Sequence, residues 1–125
     1  DWSTEQGFRV VPAEECWYKS LTPLMAEVRE KLGDGPVYLS FDIDGIDPAF
    51  APGTGTAEIG GLTSTQGIEI IRGMRGLDVV GGDLVEVSPP YDPFGNTSVL
   101  AANLLFEMLC ILPGVRYDDK VKAVY

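Results

Sequence analysis

Short apolar segments with the length of β-strands alternate with helical segments along this chain, and this order limits the possible folds more than any other feature. The apolar run at 37–41 lies between two segments with helical periodicity, and the run at 77–87 lies between the second of these and a third. Parallel strands need a crossover connection, which is usually a helix. We therefore predict an α/β fold with a parallel sheet and helices on its faces.

The complete predicted order is β-α-β-α-β-α. The helices have apolar residues at three- and four-residue spacing, and Thr63 with Gln66 fits a capping box at the start of the second one. The predicted strands are 8–11, 37–41 and 77–87, and the predicted helices begin at Ser20, at Thr63 and at Asn96 or Thr97. A long loop at 42–62, rich in glycine and proline, is the segment whose composition favours a functional role.

Composition narrows the possible functions. The chain has 125 residues, the size of one ordinary domain. Its 9 basic and 19 acidic residues give a net charge of −10, and a protein this acidic repels phosphate backbones and anionic lipid, so we expect neither nucleic acid nor a membrane as partner. The sequence has no histidine, which excludes a complete Ser-His-Asp or Cys-His site within it. Because it begins at Asp1, we expect a piece of a longer product.

Two carboxylates, Asp42 and Asp44, directly follow the apolar run at 37–41. In an extended segment they would point to opposite faces, so the chain must turn for them to meet, and Gly45 favours a turn there. Carboxylate oxygens suit hard divalent ions such as Mn²⁺ and Mg²⁺. We predict that both acids face a metal; the plainer alternative is one capping acid and one solvated acid.

A third acid, Glu86, follows the next strand, and the carboxyl ends of parallel strands share one edge of a sheet. A carboxylate in a partly dry pocket mouth favours a cationic ligand, and a salt bridge to an arginine of the same fold is the alternative. Asp83 faces the other side by strand alternation, so we predict that it is a supporting or core acid held by hydrogen bonds. The small residues at 52–56 allow the main chain to approach a ligand closely.

The sequence resembles a known family in several segments. Ser-Phe-Asp-Ile-Asp-Gly-Ile-Asp-Pro at 40–48, Pro-Gly-Thr-Gly-Thr at 52–56 and Gly-Gly at 60–61 resemble the signature of the ureohydrolases, the arginase and agmatinase family. The segment at 83–92 and the helix at 96–109 look most like agmatinases of the animal mitochondrial type. The resemblance implies a three-layer α/β/α fold with a parallel sheet, incomplete here, in which 1–125 is the C-terminal part of a single ureohydrolase domain.

For function, the resemblance implies an enzyme with a two-manganese site, whose hydroxide attacks a guanidinium carbon and releases urea and an amine. It implies Asp42 and Asp44 as manganese ligands, Glu86 as the catalytic residue that accepts hydrogen bonds from the guanidinium, and Thr56 in the loop that lines the substrate pocket. Agmatine, which would yield putrescine, is the expected substrate, and a guanidino acid such as 4-guanidinobutyrate is the alternative. A mitochondrial location, with the cytoplasm as alternative, and a homo-oligomer are expected for the complete protein.

The family's histidine ligands lie upstream of the matching segments. We therefore expect the isolated chain to bind manganese weakly and to hydrolyse nothing measurable. Two other classes are open. One is a phosphatase of the haloacid dehalogenase type, with Asp42 as nucleophile and Mg²⁺ as metal. The other is a non-catalytic fragment that associates through an uncovered sheet edge and apolar helix faces.

Overall fold

The structure, a computed structural model, describes residues 2–116. Its elements follow one another in the order helix, helix, helix, strand, helix, strand, helix. They are α1 (Trp2–Glu5), α2 (Ala13–Cys16), α3 (Thr22–Leu32), β1 (Pro36–Asp42), α4 (Ser64–Gly73), β2 (Asp78–Val85) and α5 (Asn96–Cys110). Single 3₁₀ turns follow each strand, at Ile43–Gly45 and Pro89–Tyr91.

The two strands form a parallel sheet with one irregularity in its register. Val37 pairs with Val79 and Tyr38 pairs with Gly81, so Val80 is an extra residue in β2. Such a bulge shifts the alternation of the strand by one residue. It brings Asp83 opposite Ser40.

The sheet has one covered and one open face. Val37 and Phe41 of β1 are buried, whereas Tyr38 between them is 61% exposed. The buried face belongs to a core that includes Ile71 of α4 and Leu104 of α5, both fully buried. Burying a side chain of this size contributes about 1.5–3 kcal/mol to stability. The predicted α/β fold with a parallel sheet is confirmed, and the helical layer lies on one face of it.

Polar contacts hold the helices of this layer together. The guanidinium of Arg72 in α4 donates two hydrogen bonds to Glu107 in α5, at 2.6 and 2.8 Å, and this pairing lowers the pKa of Glu107. Glu69 of α4 accepts from the amide of Leu21 at 2.8 Å and from the hydroxyl of Ser20 at 2.6 Å, just before α3. The backbone donor of Leu21 is the main reason that the pKa of Glu69 is lowered. Both carboxylates therefore act as ionised anchors between helices.

The capping box predicted for α4 is confirmed. The Thr63 side chain accepts from the amide of Gln66 at 3.2 Å, and the Gln66 side chain accepts from the amide of Thr63 at 3.0 Å. The Gln66 amide group also donates to the carbonyl of Cys16 at 2.7 Å. One residue thus caps α4 and fixes the end of α2 against it.

Two local predictions are wrong. The segment 8–11 is not a strand, and within residues 2–116 the sheet contains β1 and β2 alone. Arg9, in the segment 8–11, instead donates a hydrogen bond from its side chain to Glu27 of α3 at 2.6 Å. The cap of α5 is Gly95, in the left-handed conformation at φ 74°, rather than Asn96 or Thr97.

In the part of the chain that the structure describes, no helix is both long and apolar enough to cross a bilayer.

Candidate active site at the strand ends

An acidic turn lies directly after β1. Asp42 is the last residue of the strand, and the chain then turns through Ile43–Gly45. One carboxylate oxygen of Asp42 accepts a hydrogen bond from the amide of Asp44 at 2.9 Å, and this contact closes the turn. Ile43 is fully buried and anchors the turn in the core. The turn needed to bring the two acids together is therefore present.

The Asp44 carboxylate is held at both oxygens by two hydroxyls of the following loop. Thr54 donates to one oxygen and Thr56 donates to the other. Thr54 is 5% exposed and Thr56 is exposed. Sequence reasoning singled out Thr56 and missed Thr54, although the Gly-Thr-Gly-Thr alternation contains both. These contacts orient Asp44 before any ligand arrives.

The loop between β1 and α4 is closed at its base by a short parallel bridge between Ile46 and Leu62. Asp47 donates its amide to the carbonyl of Leu62 at 2.8 Å, and its carboxylate accepts from the amides of Ala49 and Gly60, each at 2.8 Å. These backbone donors, that of Ala49 first, lower the pKa of Asp47. Asp47 is thus an ionised structural acid that shapes the loop carrying the two threonines.

Glu86 lies one residue past the position of β2 that pairs with Asp42. Its backbone has φ 66°, which is uncommon for a residue with a side chain and costs of order 1–3 kcal/mol. Strained conformations of this kind concentrate at functional sites. Glu86 is exposed, and residues 2–116 provide it with no hydrogen bond or ion pair. The expectation of a partly dry surrounding is therefore wrong for this chain, since nothing in its described part covers Glu86.

Asp83 bridges the two strands on the open face of the sheet. It accepts from the hydroxyls of Tyr38 and Ser40, each at 2.7 Å. The hydrogen bond from Ser40, followed by the one from Tyr38, lowers the pKa of Asp83. The hydrogen bond between Tyr38 and Asp83 also raises the pKa of Tyr38. Asp83 therefore has the supporting, hydrogen-bonding role predicted for it, on a half-exposed surface rather than in the core.

The acidic turn fits part of a site for a hard divalent cation. Asp42 and Asp44 offer carboxylate oxygens, the donors that Mn²⁺ and Mg²⁺ accept readily. Over residues 2–116, however, no three side chains of metal-binding type come together. The ligand chemistry is suitable and the ligand number is too small for a tightly held ion.

Parallel strands with a helical layer on one face and acids at their carboxyl ends define an α/β protein with its site at the strand ends. Comparison with known proteins makes this class specific. The sequence pattern of the arginase family matches residues 1–110. The chain belongs to the arginase family.

Curated relatives and a solved structure agree with this assignment. Guanidinobutyrase of Pseudomonas aeruginosa is 78% identical over 115 residues, which cover 92% of this chain and 36% of that protein. Mitochondrial agmatinase of Gallus gallus is 73% identical over 112 residues, covering 90% of this chain and 33% of the relative. The proclavaminate amidino hydrolase structure from Streptomyces clavuligerus matches with a TM-score of 0.83 and 46% identity, over 87% of this chain and 36% of that one.

These similarities settle some expectations and leave others open. The predicted ureohydrolase family and its arginase-like α/β fold, incomplete here, are confirmed, and the phosphatase alternative loses its basis. The chain spans about a third of the length of the curated relatives that it matches. The preference for agmatine over guanidino acids gains no support, because the guanidinobutyrase is as similar as the agmatinase.

Proposed function

We propose that this chain supplies the guanidinium-facing and part of the metal-facing side chains of a manganese-dependent amidinohydrolase, as the C-terminal part, 1–125, of a single ureohydrolase domain. The observation that carries the proposal is that the adjacent carboxyl ends of β1 and β2 both carry acidic residues. One bears an acidic turn oriented by two threonines, and the other bears a strained, exposed glutamate that has no ion-pair partner among residues 2–116.

Asp42 and Asp44 would hold Mn²⁺ together with ligands from outside this chain. When bound, the metal lowers the pKa of water enough for hydrolysis near neutral pH. Thr54 and Thr56 keep both oxygens of Asp44 in place. Because their hydroxyls already satisfy part of its hydrogen-bonding capacity, the carboxylate loses less freedom when it binds a cation.

Glu86 is the residue that we assign to the substrate. A guanidinium group is planar and offers several N–H donors, and a carboxylate accepts two of them side by side. Glu86 has no competing cation among residues 2–116, so its charge remains for such a group. Thr56 lies in the loop that would line the same pocket. Water adds to the guanidinium carbon and the bond from that carbon to the nitrogen of the alkyl chain breaks, which yields urea and an amine.

Agmatine and 4-guanidinobutyrate are the two candidate substrates, in line with the names of the chicken and Pseudomonas relatives. They share the guanidinium and differ at the far end of the molecule, where one has an amine and the other a carboxylate. The acids described above meet the shared end. We therefore assign the chemistry to this chain and the choice between the two substrates to the remainder of the complete protein.

The test replaces the matching segment of the Pseudomonas guanidinobutyrase with the corresponding residues of this chain, giving a hybrid called the Pseudomonas chimera. A second hybrid uses the chicken agmatinase in the same way. We expect both to release urea with Mn²⁺, each from its host's own substrate. Glu86→Gln and Asp44→Asn should lower kcat/KM at least about a hundredfold, by analogy with removal of a single catalytic donor.

Asp78→Asn is the matched control, since Asp78 is an exposed acid at the opposite end of β2. Its activity should equal that of the unmodified chimera. Two folded, manganese-loaded chimeras without urea release would refute the proposed function. A shared substrate preference in both hybrids would refute the assignment of substrate choice to the upstream part.

The mitochondrial location and the homo-oligomer stay proposals for the complete protein. The name of the chicken relative supports the first, while the Pseudomonas relative is a bacterial protein and keeps the cytoplasm as the alternative. Imaging of the complete protein fused to a fluorescent tag tests the location, and light scattering tests the assembly.

A further inference from the structure

Two buried polar side chains near the start of α5 have no part in the chemistry above. Asp92 is 4% exposed and Thr97 is fully buried. The Asp92 carboxylate accepts from the amide of Thr97 at 2.6 Å and from the amide of Phe94 at 3.3 Å. The Thr97 amide is the main reason that the pKa of Asp92 is lowered. Buried polar groups cost free energy unless they are hydrogen-bonded, so a completed set such as this fixes the local backbone.

The backbone that they fix belongs to the loop after β1. The Thr97 hydroxyl accepts a hydrogen bond from the amide of Gly53 at 2.8 Å, and the Gly53 carbonyl accepts one from the amide of Ser88 at 2.7 Å. A Cβ on Gly53 would lie 2.8 Å from the Cβ of Asp92 and 2.9 Å from the Thr97 hydroxyl. The loop therefore approaches the start of α5 as closely as glycine allows.

Thr54 is the next residue after this fixed glycine. Its amide donates to the carbonyl of Pro52 at 3.0 Å, and its buried hydroxyl donates to Asp44. Because Gly53 and Thr54 are joined by a planar peptide, a shift of Gly53 also shifts the hydroxyl that orients Asp44. Hydrogen-bond partners of a metal-binding carboxylate fix its orientation and so affect metal affinity.

We propose that Asp92 and Thr97 are positioning residues for Asp44, which act through Gly53 and Thr54 and thereby set the affinity of the acidic turn for a divalent cation. This inference rests on the proposed function for its consequence in catalysis. The path joins the segment after β2 and the start of α5 to the carboxylate after β1, through contacts made at one loop residue.

Thr97→Val in the Pseudomonas chimera tests the proposal, because it keeps the side-chain volume and removes the acceptor for the Gly53 amide. The readouts are the Mn²⁺ dissociation constant, from electron paramagnetic resonance of the free ion, kcat and KM, and the melting temperature. We expect the dissociation constant to rise about tenfold or more and kcat to fall with KM little changed. Thr97→Ser, which keeps the hydroxyl, should restore both values, and Thr65→Val, at an exposed position of α4, is the matched control.

A folded Thr97→Val chimera whose Mn²⁺ dissociation constant stays within roughly twofold of the unmodified chimera overturns the inference, since partners of metal ligands have larger effects. A lower melting temperature with unchanged affinity overturns it as well, because that result describes a purely structural role. Where Thr97→Val does not fold, Asp92→Asn decides by the same criterion, as it removes the charge that holds the Thr97 amide and leaves the Thr54 donor to Asp44 in place. If both unmodified chimeras bind Mn²⁺ and release no urea, the proposed function alone is refuted, and the variant affinities still test the positioning role.

Discussion

Gly61→Ala should open the base of the loop between β1 and α4. A Cβ at this position would lie 2.8 Å from the amide nitrogen of Asp47 and 2.9 Å from the carbonyl oxygen of Gly45. Both are backbone atoms, so no side-chain rotation relieves the clash. The same backbone makes the hydrogen bonds between Asp47 and Leu62 and between Leu62 and Gly45, each at 2.8 Å. The substitution therefore acts on the bridge that closes the loop.

The expected loss of stability follows from these contacts. Overpacking of this kind costs about 1–3 kcal/mol, and each of the two hydrogen bonds contributes about 0.5–1.5 kcal/mol. Alanine also reduces the freedom of the unfolded chain, which offsets about 0.4–1 kcal/mol. We therefore expect the free energy of unfolding to fall by about 3 kcal/mol, the middle of a range of about 1–6 kcal/mol.

Urea unfolding followed by the fluorescence of Trp17 measures this change at the affected place, because the Trp17 indole donates to the carbonyl of Gly60 at 2.7 Å. Trp2, the other tryptophan, is replaced by phenylalanine, and the protein is kept dilute to limit association. The midpoint should fall by at least about 1 M urea. Gly55→Ala is the matched control, since a Cβ there meets nothing within 4 Å. Stabilities of the two variants that agree within about 0.5 kcal/mol would refute the steric reasoning.

Three further predictions follow from features described above. The contact with Arg72 lowers the pKa of Glu107, so its stabilisation is present above about pH 4.5 and is lost as the pH falls through the lowered pKa. Glu107→Gln should lower the free energy of unfolding by about 1 kcal/mol at pH 7 and should weaken its dependence on pH below about pH 4.5, as measured by urea unfolding. An unchanged pH dependence in this acid range contradicts the prediction. The isolated chain with added Mn²⁺ should release no urea from agmatine or 4-guanidinobutyrate in a colorimetric assay, and measurable release would show that its own acids suffice. The isolated chain should self-associate, as measured by size-exclusion chromatography with light scattering, because Phe106 and Leu109 of α5 are 61% and 60% exposed. Phe106→Ser should reduce the association, and the control Asn103→Ser should not. An unmodified chain that is monomeric would contradict the prediction.

Elements with a strong local signal were predictable from the sequence. The apolar run at 37–41 lies within the observed strand Pro36–Asp42, and the pair Thr63 and Gln66 forms the capping box that begins α4. In both cases the information lies within a few neighbouring residues. The acidic turn belongs to the same group, since the need for a turn between Asp42 and Asp44 follows from strand geometry alone.

The segment 8–11 shows where such reasoning fails. Its β-prone residues form no strand, because a strand is stabilised by pairing with a neighbour and β-propensity alone is a weak guide. Arg9 within it binds Glu27 of α3 instead. The prediction of the α5 cap failed for a related reason. The amide of Thr97 donates to Asp92, five residues earlier in the sequence, rather than to a capping side chain next to it.

The candidate site was predictable in its acids and not in the residues that orient them. Asp42, Asp44 and Glu86 are recognisable by their positions after apolar strands and by the family resemblance. Thr97 contacts Gly53 across 44 residues of sequence, a separation over which a single sequence carries no pairing signal.

The open face of the sheet also bears on how substitutions in this chain are interpreted. Tyr38 is 61% exposed and Val80 is 62% exposed, on a surface that α4 and α5 leave bare. In the isolated chain, alanine at Val80 should change stability by no more than about 0.5 kcal/mol. Where a second helical layer covers this face, as the incomplete three-layer fold implies, we expect the same change to leave a cavity and to cost more than about 1.5 kcal/mol. The difference between the melting curves of the unmodified protein and its Val80→Ala variant therefore reports whether a second helical layer covers this face.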